Sequence, residues 1–523
     1  VDRLLTMVFT TGRALSKPAD YDRAQHHLFA QRVAEETAVL LKNEDGILPI
    51  TGRERRVALI GAFAAQPRYQ GAGSSRIVPT LMDTAVQALP LCGMNVTGFA
   101  KGFEKNGRAN EKLAAEAVEL AKKADVALLY LGLDDPGEAE GEDRADMLLP
   151  ENQLALLKAV AAVNKNVVVV LSCGCAVEMQ WHRYAKAVIH GYLGGQAGAM
   201  AMARLLTGQA NPSGKLSETV PLNLAAVPSS PYFPGREATA EYREGIYVGY
   251  RYYDTAGVPA MYPFGFGLSY TTFAYDNLKL SSQSYEGGKL QVSLDVTNTG
   301  SATGAEIVEL YVENPPADYL RAKKELKGFQ KVMLEPGETK RVTMELDERS
   351  FSIFDEGRFR MIGGTYRVLI AGSVEDIRLA QTVTVQGEAC TRNDRERLSD
   401  YFRKDLHGVT REQFAALYGK PLSHFDDRKP GEYSLYDSLN QLAEASPLAR
   451  TVRKAARPLV YSMFKGIPHD DPQVVMVLMG VENGMIDSVV CQSGGMLPMR
   501  VAEAMVLQAN GHRGKALRKL IRG

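Results

Sequence analysis

The sequence has no long apolar run and no excess of charge of either sign. Its apolar stretches all fall short of the about 18 residues that a membrane-spanning helix needs, so we predict no membrane segment. The 61 Lys and Arg residues are matched by 61 Asp and Glu residues, which gives no electrostatic reason to expect nucleic acid as a partner. With 523 residues, 45% of them hydrophobic, the composition is that of a globular protein of several domains.

Cysteine is scarce, and its spacing is typical of neither a disulfide framework nor a metal site. The five cysteines leave at least one free thiol, which favours a reducing compartment and predicts a cytoplasmic location. Cys173 and Cys175 form a C-x-C pair without the second pair of a zinc site, so we interpret them as plain buried thiols. Because histidine pairs at metal spacing and nucleotide-binding fingerprints are also missing, we predict no metal and no cofactor.

Apolar strands alternate with helices in the first part of the chain. Strand patterns lie at 57–60, 94–99, 125–131, 167–171 and 187–190, and helical patterns at 21–43, 83–89, 110–123, 151–163 and 197–206. Uniformly apolar strands between helices predict a mostly parallel sheet covered on both faces, an α/β sandwich domain over 25–225. In such a sheet, ligands bind at the carboxyl ends of the strands.

The pattern changes to alternation of apolar and polar residues after position 272. Short alternating runs at 290–296, 307–312, 340–346 and 365–370 are separated by turn residues, which predicts a β-sandwich over 273–388. Residues 226–272 form a connecting segment in this division, and 389–523 return to a polar, mostly helical pattern. The predicted fold class is therefore multidomain, with an α/β layer, a β-sandwich and a helical C-terminal extension.

An amphipathic helical pattern begins at the first residue, which is Val1 rather than Met. We therefore expect the chain to be cut from something longer, with residues 1–24 as the end of a preceding domain and a linker. A targeting signal upstream of this point would not be visible in the sequence.

Two loops at the predicted ligand edge of the sheet carry candidate functional residues. Residues 132–150 include seven acidic residues, and crowded carboxylates raise one another's pKa, which would keep one of them protonated as a general acid. Residues 68–79 are rich in Gly and Ser, which allow close backbone approach and hydrogen bonds to sugar or phosphate oxygens. The alternatives are a solvated acidic loop and a flexible connecting loop.

Nine short motifs then follow one another along the chain. They lie at 34–43 with Leu48-Pro49, at 70–79, at Glu140-Gly141-x-Asp143-Arg144 with Leu149-Pro150, and at 177–181, 195–196, 211–216, 244–254, 263–271 and 324–329. In this order they resemble the second half of glycoside hydrolase family 3 proteins, and the last motif resembles that family's fibronectin type III-like domain. Residues 390–523 carry no motif of comparable strength.

The resemblance implies an activity and a catalytic residue. The family hydrolyses terminal β-linked sugars with retention, using an Asp nucleophile from a (β/α)₈ barrel and a Glu acid/base from the α/β sandwich domain. These two carboxyls have to lie about 5–5.5 Å apart across the glycosidic bond. Glu140 matches the glutamate of the family's E-G-x-D-R motif and is our candidate acid/base, with Glu138 as the runner-up. Ser74 matches a serine that resembles a ligand of a sugar hydroxyl.

The sequence also departs from the family's pattern. The barrel is missing except for a helix resembling its last one at 1–9, so we expect the chain alone not to hydrolyse a glycoside. Cys173-Gly174-Cys175 stands where relatives often have Asn-Gly-Ser, and Phe266 where they often have His.

Our leading hypothesis is the C-terminal part of a retaining, exo-acting, β-glucosidase-like β-glycosidase. Its partners would be a β-linked oligosaccharide or glycoside and a barrel domain or chain that carries the nucleophile. The alternative is a non-catalytic carbohydrate-binding or scaffold protein of the same family, against which the retained Glu140 and Ser74 weigh. A phosphate-binding α/β protein is disfavoured because only Arg68 and Arg76 are basic in the glycine-rich loop. The identity of the sugar, the role of 390–523 and a homo-oligomer stay open.

Overall fold

The structure of the protein is a computed structural model that describes residues 1–16, 20–74, 77–141, 143–233, 240–403, 406–422, 429–469 and 471–522. Arg76, considered above as a phosphate ligand, lies outside the described residues. The chain begins with helix α1 (Asp2–Leu15), which has no buried residue, and continues with α2 (Arg23–Thr37). No described helix is both long and apolar enough to pass through a bilayer.

A six-stranded sheet forms the centre of the first domain. Its strands are β1 (Val39–Asn43), β2 (Val57–Ile60), β3 (Val96–Ala100), β4 (Val126–Gly132), β5 (Val167–Ser172) and β6 (Ala187–His190), in the spatial order β1-β6-β5-β4-β2-β3. The strands β2 to β6 are parallel, and β1 is antiparallel to β6 at one edge. The strands β2, β4 and β6 are fully buried along their length, as the uniformly apolar sequence predicts.

Five helices surround this sheet. They are α3 (Ala62–Ala65), α4 (Ala85–Leu91), α5 (Glu111–Lys122), α6 (Glu151–Val163) and α7 (Gly198–Leu206). Helix α5 packs on α6, while α2 and α4 both pack on α7. The predicted mostly parallel sheet with helical layers is confirmed.

The prediction of one helix over 21–43 is wrong at its C-terminal end. Helix α2 ends at Thr37, and Ala38 has the extended backbone that leads into β1. Val39, Leu40 and Leu41 are 0%, 0% and 2% exposed. Three consecutive buried residues need apolar neighbours on both sides, which a strand covered on both faces provides and a surface helix does not. Periodicity alone does not separate these two cases in so short a run.

The second domain is a sandwich of two sheets. Its strands are β9 (Phe273–Leu280), β10 (Ser284–Tyr285), β11 (Leu290–Asn298), β12 (Gly304–Glu313), β13 (Lys324–Leu334), β14 (Thr339–Leu346), β17 (Gly364–Ala371) and β18 (Ile377–Val385). One sheet has the order β10-β18-β17-β12-β13 and the other β14-β11-β9. Short pairs join β7 (Val220–Pro221) to β8 (Ala260–Tyr262) and β15 (Ser352–Asp355) to β16 (Arg358–Met361). Strand β11 alternates strictly between buried and half-buried residues, as its sequence predicts.

The C-terminal region is helical, which confirms the predicted fold class. Its first part, with α9 (Asp394–Arg397) and α10 (Arg411–Tyr418), packs on the connecting segment around α8 (Tyr250–Ala256). The later helices are α11 (Leu439–Ala445), α12 (Pro447–Met463), α13 (Pro472–Asn483), α14 (Ile486–Gln492), α15 (Met499–Ala509) and α16 (Arg513–Arg522). Much of this later part surrounds a core of its own. We call residues 429–469 and 471–522 the C-terminal helical unit.

Gln153 offers a test of how helix α6 is fixed to the sheet. Its side chain is fully buried, accepts a hydrogen bond from the Gly132 N–H at 2.9 Å and donates one to the Gly132 carbonyl at 2.8 Å. We expect Gln153→Ala to lower the free energy of unfolding by about 2–4 kcal/mol, because two buried backbone groups lose their partners. Denaturant unfolding measures this. The exposed Gln283→Ala should stay within about 0.5 kcal/mol, and equal effects of both variants would contradict the assignment.

Candidate active site

Three loops come together at the carboxyl ends of the parallel strands. The glycine-rich loop follows β2 and α3, the acidic loop follows β4, and residues 173–176 follow β5. The first two loops pair directly, since Ala72 and Ala139 form a parallel bridge and the Glu140 N–H donates to the Ala72 carbonyl at 3.1 Å. The edge that the sequence predicts for a ligand is therefore where its two candidate loops lie side by side.

Glu140 is exposed and is held by Ser74. The Ser74 backbone N–H donates to Glu140 Oε2 at 2.7 Å, and the Ser74 hydroxyl donates to the same oxygen at 2.5 Å. These hydrogen bonds, the one from the hydroxyl first, lower the pKa of Glu140 from its ordinary value. The expectation that crowding would keep a carboxylate of this loop protonated is therefore wrong for Glu140 in this chain, because the two donors stabilise its charged form.

Gly73 makes the close approach of the two loops sterically possible. Its φ of +116° lies in the region that favours glycine, and a Cβ atom at this position would lie 2.5 Å from Glu140 Cβ and 2.7 Å from Glu140 Oε2. The glycine therefore leaves room for the glutamate that its neighbour Ser74 binds.

Glu138, the runner-up for the acid/base, has a different environment. Its side chain is 9% exposed. Its Oε1 atom accepts hydrogen bonds from the N–H groups of Gly174 at 2.7 Å and Cys175 at 3.2 Å, and its Oε2 atom lies 3.5 Å from Nη2 of the buried Arg68. Glu138 thus anchors the acidic loop to the loop after β5 and faces away from solvent.

Arg144 anchors the other side of the acidic loop. Its Nη1 atom donates to the Cys175 sulfur at 2.8 Å and to the Ala176 carbonyl at 3.3 Å. Cys173 is fully buried, as predicted, whereas Cys175 is half-buried and also contacts Glu138 at 3.1 Å. Burial, together with the hydrogen bond to Glu138, raises the pKa of Cys175 to about 11. The interpretation as plain buried thiols is therefore wrong for Cys175, which joins both anchors.

A cavity of about 550 Å³ lies between the glycine-rich and acidic loops. Arg68 lines this cavity and donates hydrogen bonds to the Gln70 carbonyl at 2.5 Å and to Asp135 Oδ1 at 2.6 Å. Asp134 lines the same cavity, and burial raises its pKa. The hydrogen bond that Asp134 accepts from the Gly137 N–H lowers this pKa but is the smaller effect. Across the described ranges no cluster of three or more His, Cys, Asp or Glu side chains is arranged to hold a metal ion.

The comparisons with known proteins match these loops. The sequence model described as glycosyl hydrolase family 3 C-terminal domain matches residues 38–270, which include the Glu140 and Ser74 loops, and the fibronectin type III-like domain matches 306–374. This chain belongs to glycoside hydrolase family 3, as its C-terminal portion with a fibronectin type III-like domain. Both matches end before the C-terminal helical unit.

Individual known glycosidases are similar to most of this chain. Thermostable beta-glucosidase B of Acetivibrio thermocellus is 43% identical over 391 residues, covering 74% of this chain and 52% of that protein. An exo-alpha-(1->6)-L-arabinopyranosidase of Bifidobacterium breve is 41% identical over 383 residues, covering 71% and 50%. The crystal structure of a Bifidobacterium adolescentis GH3 beta-glucosidase has a TM-score of 0.70 at 43% identity and covers 73% of this chain and 57% of its own. The chain spans about half the length of the curated relatives it matches.

Sequence reasoning selected Glu140 and Ser74, which the structure places in contact, but not the residues that position their loops. Arg144 lies in the E-G-x-D-R motif, and Arg68 is the first residue of the glycine-rich loop, so both belong to segments that the sequence analysis selected. Their partners are residues 135, 138 and 175, which only the folded sheet brings within reach.

The bond from Ser74 predicts how Glu140 titrates. We expect Ser74→Ala to raise the pKa of Glu140 towards the ordinary glutamate value, because the hydroxyl is the larger of the two stabilising donors. Ser74→Thr, which keeps a hydroxyl, is the matched control and should leave the pKa low. Titration of the Glu140 side-chain carboxyl by carbon-detected NMR measures both. An unchanged pKa in Ser74→Ala would contradict the assignment.

Proposed function

We propose that this chain supplies the general acid/base of a retaining, exo-acting, β-glucosidase-like glycosidase, and that a barrel domain outside this chain supplies the Asp nucleophile. The observation that carries the proposal is the contrast between two neighbouring glutamates. Glu138 is only 9% exposed and is bound to backbone N–H groups, whereas Glu140 is exposed at the junction of the loops and oriented by Ser74. A scaffold protein has no need of an exposed carboxylate held in one orientation.

The proposed reaction uses Glu140 twice. Its protonated form donates a proton to the departing glycosidic oxygen while the nucleophile forms the glycosyl-enzyme. Its charged form then accepts a proton from the water that hydrolyses this intermediate.

The lowered pKa of Glu140 is what we expect of an acid/base residue that has no nucleophile carboxylate beside it. In the first step the acid has to be protonated, and in this chain Ser74 favours the charged form. A nucleophile carboxylate about 5–5.5 Å away would oppose the charge on Glu140 and raise its pKa. Closure of the cleft would act in the same direction by excluding water. We therefore infer that Glu140 becomes a general acid only when the barrel domain is in place.

We propose terminal non-reducing β-D-glycosyl residues as the substrate and Ser74 as a ligand of a sugar hydroxyl. When a sugar arrives, the Ser74 hydroxyl can bind it while the Ser74 N–H still holds Glu140. The relatives are named for two activities, beta-glucosidase and exo-alpha-(1->6)-L-arabinopyranosidase. We therefore propose a class of substrate and do not name a single sugar. A cytoplasmic location and a homo-oligomer remain predictions.

Removal of the Glu140 carboxyl tests the proposal. The chain alone should not hydrolyse an aryl β-glucoside, and the chain combined with a barrel-bearing polypeptide should. In that assembly we expect Glu140→Ala to lower kcat on an activated aryl β-glucoside by about 10²-fold or more, because hydrolysis of the glycosyl-enzyme loses the general base that activates water. Azide should restore turnover and give a glycosyl azide, since it replaces water without needing a general base. Steady-state kinetics and product analysis measure both effects.

Two control variants accompany this experiment. Asp146→Asn changes another exposed carboxylate of the same loop and should leave kcat within about twofold of the parent, as for a residue outside the reaction. Glu138→Gln should lower the melting temperature, because Arg68 loses its buried partner, and azide should not restore any lost activity. Full activity of Glu140→Ala, or azide rescue of Glu138→Gln, would contradict the proposal.

A further inference from the structure

The C-terminal helical unit contacts the loop that carries Glu140. Gly141 has a φ of +83°, and a Cβ atom at this position would lie 3.8 Å from the Cα atom of Met476 and 3.8 Å from the Cβ atom of Met479. These are ordinary van der Waals distances, so α13 passes beside the residue that follows Glu140. Nothing in the family motifs concerns this helix.

Two other residues of α13 fix the helix to its own unit. Val481 packs on the core of the unit, and Arg457 of α12 binds Glu482 through Nε–Oε1 at 2.6 Å and Nη2–Oε2 at 3.0 Å. Because helical residues advance by about 100° each, Met476 and Met479 lie on the face turned away from Val481. The helix is thus held by its own unit and has two half-buried methionines beside the acidic loop.

The N-terminal end of α13 also lies on the cavity between the two loops. Pro468, Asp471 and Gln473 line the cavity of about 550 Å³ together with residues of the glycine-rich and acidic loops. Asp471 caps the helix by accepting from the Gln473 N–H at 2.9 Å, so its carboxylate is already engaged. Gln473 is the α13 side chain that faces this cavity, while Met476 and Met479 lie further along the helix, beside Gly141 and outside the cavity lining.

We propose that α13 forms the wall of the leaving-group side of the active site, and that Met476 and Met479, with Gln473, bind an aromatic leaving group. The inference rests on the proposed function, because a general acid lies beside the oxygen that joins the sugar to its leaving group. Ser74 holds Glu140 from the proposed sugar side, and α13 lies against the next residue along the loop. Methionine is flexible and makes favourable sulfur contacts with aromatic rings, which suits a site that accepts a planar group.

A binding experiment on the chain itself tests the inference without turnover. The chain is labelled with ¹³C in its 18 methionine methyl groups, and phenyl β-D-glucoside or methyl β-D-glucoside is added. We expect ring-current shifts at Met476 and Met479 with the phenyl glucoside only, with signals assigned from Met476→Gln and Met479→Gln. The exposed Met496, which is not among the residues nearest Gly141, should not shift. Unshifted Met476 and Met479 signals, or equal shifts with the methyl glucoside, would overturn the inference.

A second experiment measures selectivity in the assembly with a barrel-bearing polypeptide. The double variant Met476→Gln/Met479→Gln keeps side-chain length and helix propensity while it removes the apolar surface. We expect its kcat/KM for phenyl β-D-glucoside to fall by about tenfold, and that for glucosyl fluoride, which has no aromatic group, to stay unchanged. Met496→Gln should change neither. An equal loss on both substrates would overturn the inference, because it would mean that α13 only supports the loop.

The two proposals fail in different ways. If Glu140→Ala remains fully active while the methionine variants lose selectivity, the acid/base assignment is wrong and the leaving-group wall stands. If Glu140→Ala is inactive and rescued by azide while the methionine signals and the selectivity do not change, the reverse holds.

Discussion

The anchoring of the acidic loop at Glu138 is the interaction on which the candidate site depends. A carboxylate that is 9% exposed is costly unless it is paired, and Glu138 finds two backbone N–H groups after β5 and the guanidinium of Arg68. Arg68 in turn carries the glycine-rich loop through the Gln70 carbonyl. One buried charge therefore joins the three loops of the site, and Arg144 closes the arrangement on the other side of Glu140.

This arrangement orients Glu140 and favours its charged form. The backbone around it is fixed by Glu138 and Arg144, and its carboxylate is fixed by Ser74, so little orientation remains to be gained on binding. The two hydrogen bonds from Ser74 also lower its pKa and so favour its charged form. In the proposed reaction, the acid role of Glu140 therefore depends on a nucleophile carboxylate that raises its pKa.

Uniform hydrophobicity made the central strands predictable, helical periodicity did so for the helices between them, and strict alternation for β11. The start of β1 was not predictable, since Val39 to Leu41 suit a buried helix as well as a buried strand. Glu140 came from a family motif. The opposite roles of Glu138 and Glu140 depend on N–H groups 36 residues further along, which no local pattern indicates. The contact of α13 with Gly141 joins still more distant segments and left no signal in the sequence.

The most direct test of the central claim is the pH dependence of kcat in the chain assembled with a barrel-bearing polypeptide. The substrate is an unactivated alkyl β-glucoside, because its alcohol leaving group cannot depart without a proton. If Glu140 is the general acid, kcat falls at high pH as this carboxyl loses its proton, and the alkaline limb disappears in Glu140→Ala. An alkaline limb that persists unchanged in the Glu140→Ala variant would contradict the account.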